Sequence, residues 1–287
     1  MKKSKITSLA FLASKIGILS IVLLLGCVGT EEQVLNSKKE LINLNYGDDP
    51  RQVMDVYLPA GRSTESTPLL IYIHGGAWID GDKSEFLQVK SLAENSLSNF
   101  AFVSINYRLY DFISGSNQFP TQENDIASAI NFIENSLTEW NVSNNLILSG
   151  ASAGAHLALL QAYKAPLNKF EAVIAFFPPT DLNTLFGFSV FTAQGLSAIL
   201  GGTPDQNPNL YISSSPSNFV TRTSPPTILF HGELDTVVPI IQSELLANLL
   251  AESEVRHELF RVPNQGHGFS PETYKMAFEQ IKKFLNQ

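Results

Sequence analysis

The sequence predicts an α/β fold, a mostly parallel sheet flanked by helices with a small cap insertion. Three observations carry this. The apolar runs at 68–74, 100–107 and 171–177 are continuous rather than alternating, as expected of strands covered on both faces. They alternate along the chain with helix-patterned runs, an order that builds a parallel sheet with helices on both sides. A turn of small residues, Gly150-Ala151-Ser152-Ala153-Gly154, joins one apolar run to a helix-like one.

Length and composition set the bounds. The chain has 287 residues, 44% of them hydrophobic, enough for one α/β domain with a sizeable core. A formal net charge of -8 argues against nucleic acid as a partner.

The N-terminus reads as a leader. Lys2, Lys3 and Lys5 precede an apolar run over 16–25, too short to span a bilayer comfortably. Leu24-Leu25-Gly26-Cys27 follows and resembles a bacterial lipobox, in which the cysteine becomes the lipidated N-terminus. Residues 1–26 are therefore expected to be a lipoprotein signal peptide, Cys27 a lipid anchor to a membrane of the cell envelope, and 27–40 a polar tether. Cleavage there removes Lys2, Lys3, Lys5 and Lys15 and no acid, taking the net charge from -8 to -12. Cys27 is the only cysteine, so the mature domain has no disulfide and no Cys-based metal site.

The domain is expected over 41–287. Residues 41–46 and 53–58 read as strands around the turn Gly47-Asp48-Asp49-Pro50. The strands at 68–74 and 100–107 follow. Ile126, Ile130 and Ile133 mark a helix over 121–137. A strand through Leu146, Ile147 and Leu148 leads into the small-residue turn and a helix over 155–163. After the strand at 171–177, residues 178–224 are irregular and rich in Pro, Gly, Ser and Phe, and are expected to form the cap. Strands at 227–231 and 257–262 and helices at 240–251 and 271–285 complete the chain.

Three loops carry chemistry. In the small-residue turn, flanking glycines let a serine stand clear of the sheet, because a side chain on either would collide with a neighbouring strand or helix. Two glycines in His74-Gly75-Gly76-Ala77-Trp78 let the backbone turn its N–H groups toward that serine. With the N–H of Ala153, those of Gly76 and Ala77 supply the donors that an oxyanion needs. Asp235, in the loop after the strand at 227–231, is a carboxylate suited to orient a histidine; Glu233 is the rival, and Asp235 is preferred because it precedes Val-Val-Pro at the far side of the loop. His267 lies between Gly266 and Gly268, where a tight loop reaches the serine. Of the other histidines, His74 is expected to brace the glycine turn, His231 to close a strand, and His156 and His257 to lie on the surface. Asp125 reads as a structural carboxylate. No phosphate-binding loop, dinucleotide fingerprint or His-rich metal spacing occurs in the sequence.

From about residue 41 onward the chain resembles the α/β-hydrolase superfamily. More narrowly, it resembles carboxylesterases related to hormone-sensitive lipase and the carbohydrate-esterase-like group with feruloyl and acetyl esterases. The matching stretches are Met54-Asp55-Val56-Tyr57-Leu58-Pro59, the His74 to Trp78 run, Asn106-Tyr107-Arg108-Leu109, the Ser152 turn, Ser215-Pro216, and the Asp235 and His267 loops. The order Ser152, Asp235, His267 is the one the superfamily uses. The resemblance implies a serine hydrolase of short acyl or aryl esters, including those of carbohydrates. Ser152 would be nucleophile, His267 base, Asp235 its orienting acid, and no cofactor would be needed. Ala77 stands where many relatives of hormone-sensitive lipase have a third glycine; its N–H is all the oxyanion hole needs. An arylformamidase-type hydrolase of C–N bonds uses the same residues, and a non-catalytic binding lipoprotein uses the same scaffold. The cap residues Phe186, Phe188, Phe191, Leu196, Ile199 and Leu200 are expected to line an apolar acyl pocket or to form cap core.

Overall fold

The structure, a computed structural model, describes residues 37–286. Cys27, the leader and most of the expected tether lie outside the described residues. Eight strands form one sheet: β1 (Lys39–Asn45), β2 (Val53–Leu58), β3 (Leu69–Ile73), β4 (Ala101–Ile105), β5 (Leu146–Ala151), β6 (Ala172–Phe176), β7 (Thr227–Gly232) and β8 (His257–Val262). Their order is β1-β2-β4-β3-β5-β6-β7-β8. β2 runs antiparallel to both its neighbours, and every pairing from β4 to β8 is parallel. β1 begins at Lys39, so the last two residues assigned to the tether belong to the sheet.

The central strands are covered on both faces, and their period of two divides the core. Leu69, Ile71, Ile73, Val103, Ile105 and Leu148 face one apolar layer; Leu70, Phe102, Ile147, Ile174 and Phe230 face the other. The first layer is closed by α2 (Thr121–Trp140), α3 (Ala153–Lys164) and α7 (Ile241–Glu252), through residues such as Ile130, Leu159 and Leu246. The second is closed by α1 (Leu87–Ser96) and α8 (Pro271–Leu285), through Ala93, Phe278 and Phe284. Each α8 anchor follows the last by three residues, Phe278, Ile281, Phe284, which puts all three on one face.

Two elements differ from the sequence expectation. α1 has no counterpart in it. The helix follows a short 3-10 turn, Lys83–Phe86, whose cap Asp82 accepts from the N–H of Ser84. Ala93 is its one fully buried residue, so its apolar stripe is faint. The segment 178–224 is not irregular throughout. It carries α4 (Leu182–Phe186), α5 (Val190–Ile199) and α6 (Pro208–Ser213). α4 and α5 have side-chain caps: Asp181 accepts from Thr184 N–H, and Ser189 forms a reciprocal capping box with Thr192. Helices of 5, 10 and 6 residues are too short for a period of 3.6 to show.

Candidate active site

Ser152 sits between the end of β5 and the first residue of α3, at φ 52° and ψ -121°. A non-glycine residue at positive φ is strained, and the packing around it holds the strain. Both glycines of the turn are required by close approach. A Cβ on Gly150 would strike the backbone of Gly154 and Ala155, and one on Gly154 would strike the carbonyl oxygens of Ile73 and His74. Ser152 N–H donates to the carbonyl of Phe176 on β6 at 2.9 Å, which ties the turn to the next strand.

The structure brings the three expected side chains together from separate loops. Ser152 Oγ lies 2.8 Å from His267 Nε2. His267 Nδ1 lies 2.7 Å from Asp235 Oδ2. A carboxylate only accepts, so Nδ1 carries the proton and Nε2 is the acceptor facing the serine hydroxyl. The other carboxylate oxygen, Oδ1, accepts from the N–H groups of Val237 and Val238, both at 2.9 Å. Burial alone would raise the Asp235 carboxyl; the hydrogen bonds from His231, His267 and the Val238 backbone outweigh it and hold the group well below the usual carboxylate range. His231, the end of whose strand it closes, is fully buried between Ser243 Oγ at 2.7 Å and the Val238 carbonyl at 2.9 Å. Glu233 points elsewhere and pairs with Arg261 at 3.2 Å. The Phe177 ring packs 4.7 Å from that of His267.

The glycine turn after β3 is held from behind. Tyr107 Oη donates toward the carbonyls of His74 and Gly75, both at 3.1 Å. The His74 ring stacks on Tyr107 at 4.3 Å and has Nδ1 2.8 Å from the Gly75 carbonyl. Arg51 donates to the carbonyls of Gly81 and Tyr107. Beyond the turn, the carbonyl of Gly76 accepts from Ile79 and Asp80 N–H, and Gly76, Ala77 and Trp78 all have positive φ. These bonds consume the carbonyls. Among the described residues no acceptor takes the N–H groups of Gly76, Ala77 or Ala153. Burial lowers the His74 ring to about 4, so it is neutral at pH 7 and adds no charge beside the turn.

Two cavities meet at Ser152, sharing Ala77 and Val237 as walls. One, of about 410 Å³, is lined by His267 and Phe177 and runs inward between the sheet and helices α1 and α8. The other, of about 380 Å³, lies under the cap against Trp78, Ala153 and Leu196. Of the cap residues expected to form a pocket, Phe191 and Leu196 line the second cavity. Phe188 lines neither, Phe186 packs against Tyr211 at 5.9 Å, and Ile199 and Leu200 are buried in the core.

Several motif residues serve as supports. Asp55, fourth from the end of β2, forms a buried ion pair with Lys83 at 2.9 Å, and Asn106 accepts from Lys83 N–H while donating to Asp82. Asp125 accepts from Arg108 and Gln52 and is structural. Ser215 Oγ joins the cap to itself, accepting from Leu182 N–H and donating to the Tyr211 carbonyl. His156 is not on the surface: it is wholly buried on α3, with Nε2 2.6 Å from the Ser214 carbonyl. The cap segment that follows α6 covers it, and no local pattern in the sequence places that segment against α3. Tyr107 and Arg51 carry no local signal of this supporting role, since the carbonyls they bind lie 30 to 56 residues away along the chain.

Comparison with known proteins adds to this geometry. The BD-FAE family model matches residues 54–250. Esterase LipC of Mycobacterium tuberculosis is 27% identical over 240 residues, 78% of this chain and 58% of that protein. A probable isoprenylcysteine alpha-carbonyl methylesterase of Arabidopsis thaliana is 29% identical over 226 residues, 71% and 46% of the two chains. The chain thus spans about half the length of the curated relatives it matches. A truncated carbohydrate esterase from gut microbiota superposes with a TM-score of 0.74 at 22% identity, over 88% of this chain and 98% of the other, and shows the α/β-hydrolase fold.

Proposed function

The chain belongs to the BD-FAE family, and on that footing we propose that it is a serine carboxylesterase acting through an acyl-enzyme intermediate. One observation carries the reading: Ser152 Oγ, 2.8 Å from an imidazole nitrogen whose opposite nitrogen is held by Asp235. His267 Nε2 takes the hydroxyl proton as Ser152 Oγ bonds to the ester carbonyl carbon. The carbonyl oxygen gains the negative charge, and the N–H groups of Gly76, Ala77 and Ala153 receive it. Asp235 stabilises the imidazolium. The tetrahedral intermediate collapses, the C–O bond to the alcohol breaks, and His267 returns the proton to the departing oxygen. Water repeats the sequence on the acyl-enzyme, releasing the acid and restoring Ser152. The esterase names carried by the similar proteins point the same way.

The proton return also orients the substrate. The departing oxygen has to lie beside His267 Nε2, so the alcohol occupies the cavity that His267 lines. The acyl group then occupies the cap cavity, which His267 does not line.

Initial rates on p-nitrophenyl acetate and butyrate, set against N-formylkynurenine, test this function. Turnover of the esters with none of the formamide supports it; the reverse result assigns the site to C–N hydrolysis. For the segment outside the described residues, the lysines, the apolar run and Leu24-Leu25-Gly26-Cys27 support anchoring to a membrane through lipidated Cys27. Loss of labelled palmitate in Cys27→Ser tests that placement.

A further inference from the structure

The oxyanion turn is tied to a cation that lines neither cavity at Ser152, Arg51 in the turn between β1 and β2. A peptide bond is planar and trans, so its C=O and N–H point in opposite directions. The carbonyl of Gly75 and the N–H of Gly76 belong to one such plane. Whatever grips that carbonyl aims that N–H. Two donors grip it, Tyr107 Oη at 3.1 Å and His74 Nδ1 at 2.8 Å. The tyrosine proton is shared with the His74 carbonyl, also at 3.1 Å, so the imidazole has the firmer hold. On its other side the turn passes close to the nucleophile: a Cβ on Gly75 would lie 3.5 Å from that of Ser152.

The neutral His74 ring has one proton to give. A carbonyl only accepts, so that proton is on Nδ1, and Nε2 is left with a lone pair. Arg51 Nη2, which carries donors only, stands 3.4 Å from Nε2. The guanidinium is fixed in that place by three further contacts. Nη2 donates to the Gly81 carbonyl at 2.9 Å, Nε donates to the Tyr107 carbonyl at 3.3 Å, and Nη1 faces Asp82 Oδ2 at 3.7 Å. Burial, with the Arg51 charge adding to it, keeps the ring neutral.

We propose that Arg51 is a positioning residue of the oxyanion hole, acting through the His74 imidazole on the N–H of Gly76. The Arg51 proton fixes the ring tautomer, and the ring proton holds and polarises the Gly75 carbonyl. Hydrogen bonds in series strengthen one another, so the N–H of the same peptide meets the developing oxyanion as a better donor. Without Arg51 the Nε2 lone pair loses its donor, and the tautomer with its proton on Nε2 becomes available. That tautomer sets the Nδ1 lone pair against the Gly75 oxygen and releases the peptide plane. The proposal rests on the reading of Ser152 as nucleophile. It goes beyond that reading by naming a residue, outside both cavities, that tunes the hole.

A double-mutant cycle reads the coupling. Arg51→Met removes the donor and keeps an apolar stem. His74→Asn places an amide N–H near the position of Nδ1 and nothing at Nε2, so it keeps the grip on Gly75 and loses the link to Arg51. Wild type, both single variants and the double variant are assayed for kcat and KM on p-nitrophenyl butyrate. Each is also assayed for inhibition by 1,1,1-trifluorohexan-2-one and by 1,1,1-trifluorohexan-2-ol. Ser152 Oγ adds to the carbonyl carbon of the ketone, His267 takes the proton, and the ketone oxygen becomes the oxyanion; the alcohol cannot be attacked. The alcohol-to-ketone ratio of Ki values isolates the oxyanion. Removing a whole oxyanion donor costs about 10²–10³ in kcat, so weakening one is expected to cost about tenfold. In Arg51→Met, kcat and the Ki ratio both fall by that factor, with KM and the alcohol Ki within about twofold of wild type. In the His74→Asn background the same change moves neither by more than about twofold. Nitrogen-15 spectra of the labelled imidazoles provide a second reading that does not need His74→Asn to fold: His74 is protonated on Nδ1 in wild type and a mixture of tautomers in Arg51→Met. A wild-type Ki ratio or a wild-type tautomer in Arg51→Met overturns the proposal. So does an equal loss with and without the imidazole, which would assign Arg51 to holding the loop carbonyls alone. A wild type that binds the ketone no tighter than the alcohol would instead overturn the nucleophile reading, so the two failures are distinct.

Discussion

Asp235 and His267 meet at 2.7 Å, carboxylate oxygen to Nδ1, although 32 residues separate them in sequence. The second carboxylate oxygen is taken by two backbone N–H groups of its own loop. The carboxylate therefore cannot rotate away without losing both, and it presents one oxygen to one nitrogen of the imidazole.

That arrangement makes Asp235→Asn the damaging change in this loop. An amide at the same place can donate to Nδ1, which favours the tautomer with its proton on Nε2, facing the serine. Turnover is expected to fall by about 10⁴. Glu233→Gln removes only an exposed pair with Arg261, a contact worth about 0–1 kcal/mol, and is expected to stay within a few-fold of wild type. Steady-state kinetics of both variants on one p-nitrophenyl ester decide the assignment; the opposite ranking would make Glu233 the acid.

Gly154 lies against the end of β3, where the oxyanion turn starts. Gly154→Ala pushes a methyl group into the carbonyls of Ile73 and His74. The expected loss is about 1–3 kcal/mol in urea unfolding, together with a fall in kcat as the turn is displaced. A variant with both the stability and the kcat of wild type would show that the contact is not the reason for glycine there.

Two neutral histidines should make the fold sensitive to mild acid. Burial lowers both His74 and His156 to about 4, from an ordinary value of 6.5. The unfolded chain therefore binds protons that the native state refuses. The stability that this confers is complete above pH 6.5 and is lost as pH falls toward 4. Each ring contributes a slope of about 1.4 kcal/mol per pH unit across that window. Urea titrations at pH 7, 6 and 5 measure it. His156→Phe is expected to remove about half of the slope between pH 6.5 and 5, and an unchanged slope would mean that His156 is not buried as a neutral ring.

Phe191 and Phe188 separate a pocket wall from plain surface. Phe191 is 86% exposed but lines the cap cavity, whereas Phe188, 41% exposed, lines no cavity that reaches Ser152. Each methylene of an acyl chain buried in the cap cavity adds at most about 0.8 kcal/mol, roughly fourfold in kcat/KM. Across p-nitrophenyl esters of two to twelve carbons, Phe191→Ala should move the optimum to longer chains and Phe188→Ala should leave it in place. A matched shift in both variants would remove the cavity from the explanation.

The sheet was legible because its central strands are buried on both faces, and a run such as Leu69 to Ile73 has few other readings. The Ser152, Asp235 and His267 loops were legible through local signals: paired glycines, a strand before each, and their order. What stayed hidden depends on partners distant in sequence. The support of the oxyanion turn by Tyr107 joins residues 32 and 33 apart, and the Asp55–Lys83 pair spans 28. His156 reads as a surface residue until the Ser214 carbonyl is brought over it. The cavity beside His267 was out of reach for a related reason. One of its walls is the 3-10 turn and helix α1, whose single fully buried position leaves almost no pattern.

Whether Ser152 is a nucleophile activated by His267 is answered most directly by covalent capture. Protein treated with a fluorophosphonate is digested, and the modified peptide is identified by mass spectrometry with the labelling rate followed in parallel. Wild type should carry a single adduct on Ser152, Ser152→Ala none, and His267→Ala should label slower by several orders of magnitude. An adduct on another residue, or a Ser152 that labels equally fast without His267, would contradict the mechanism.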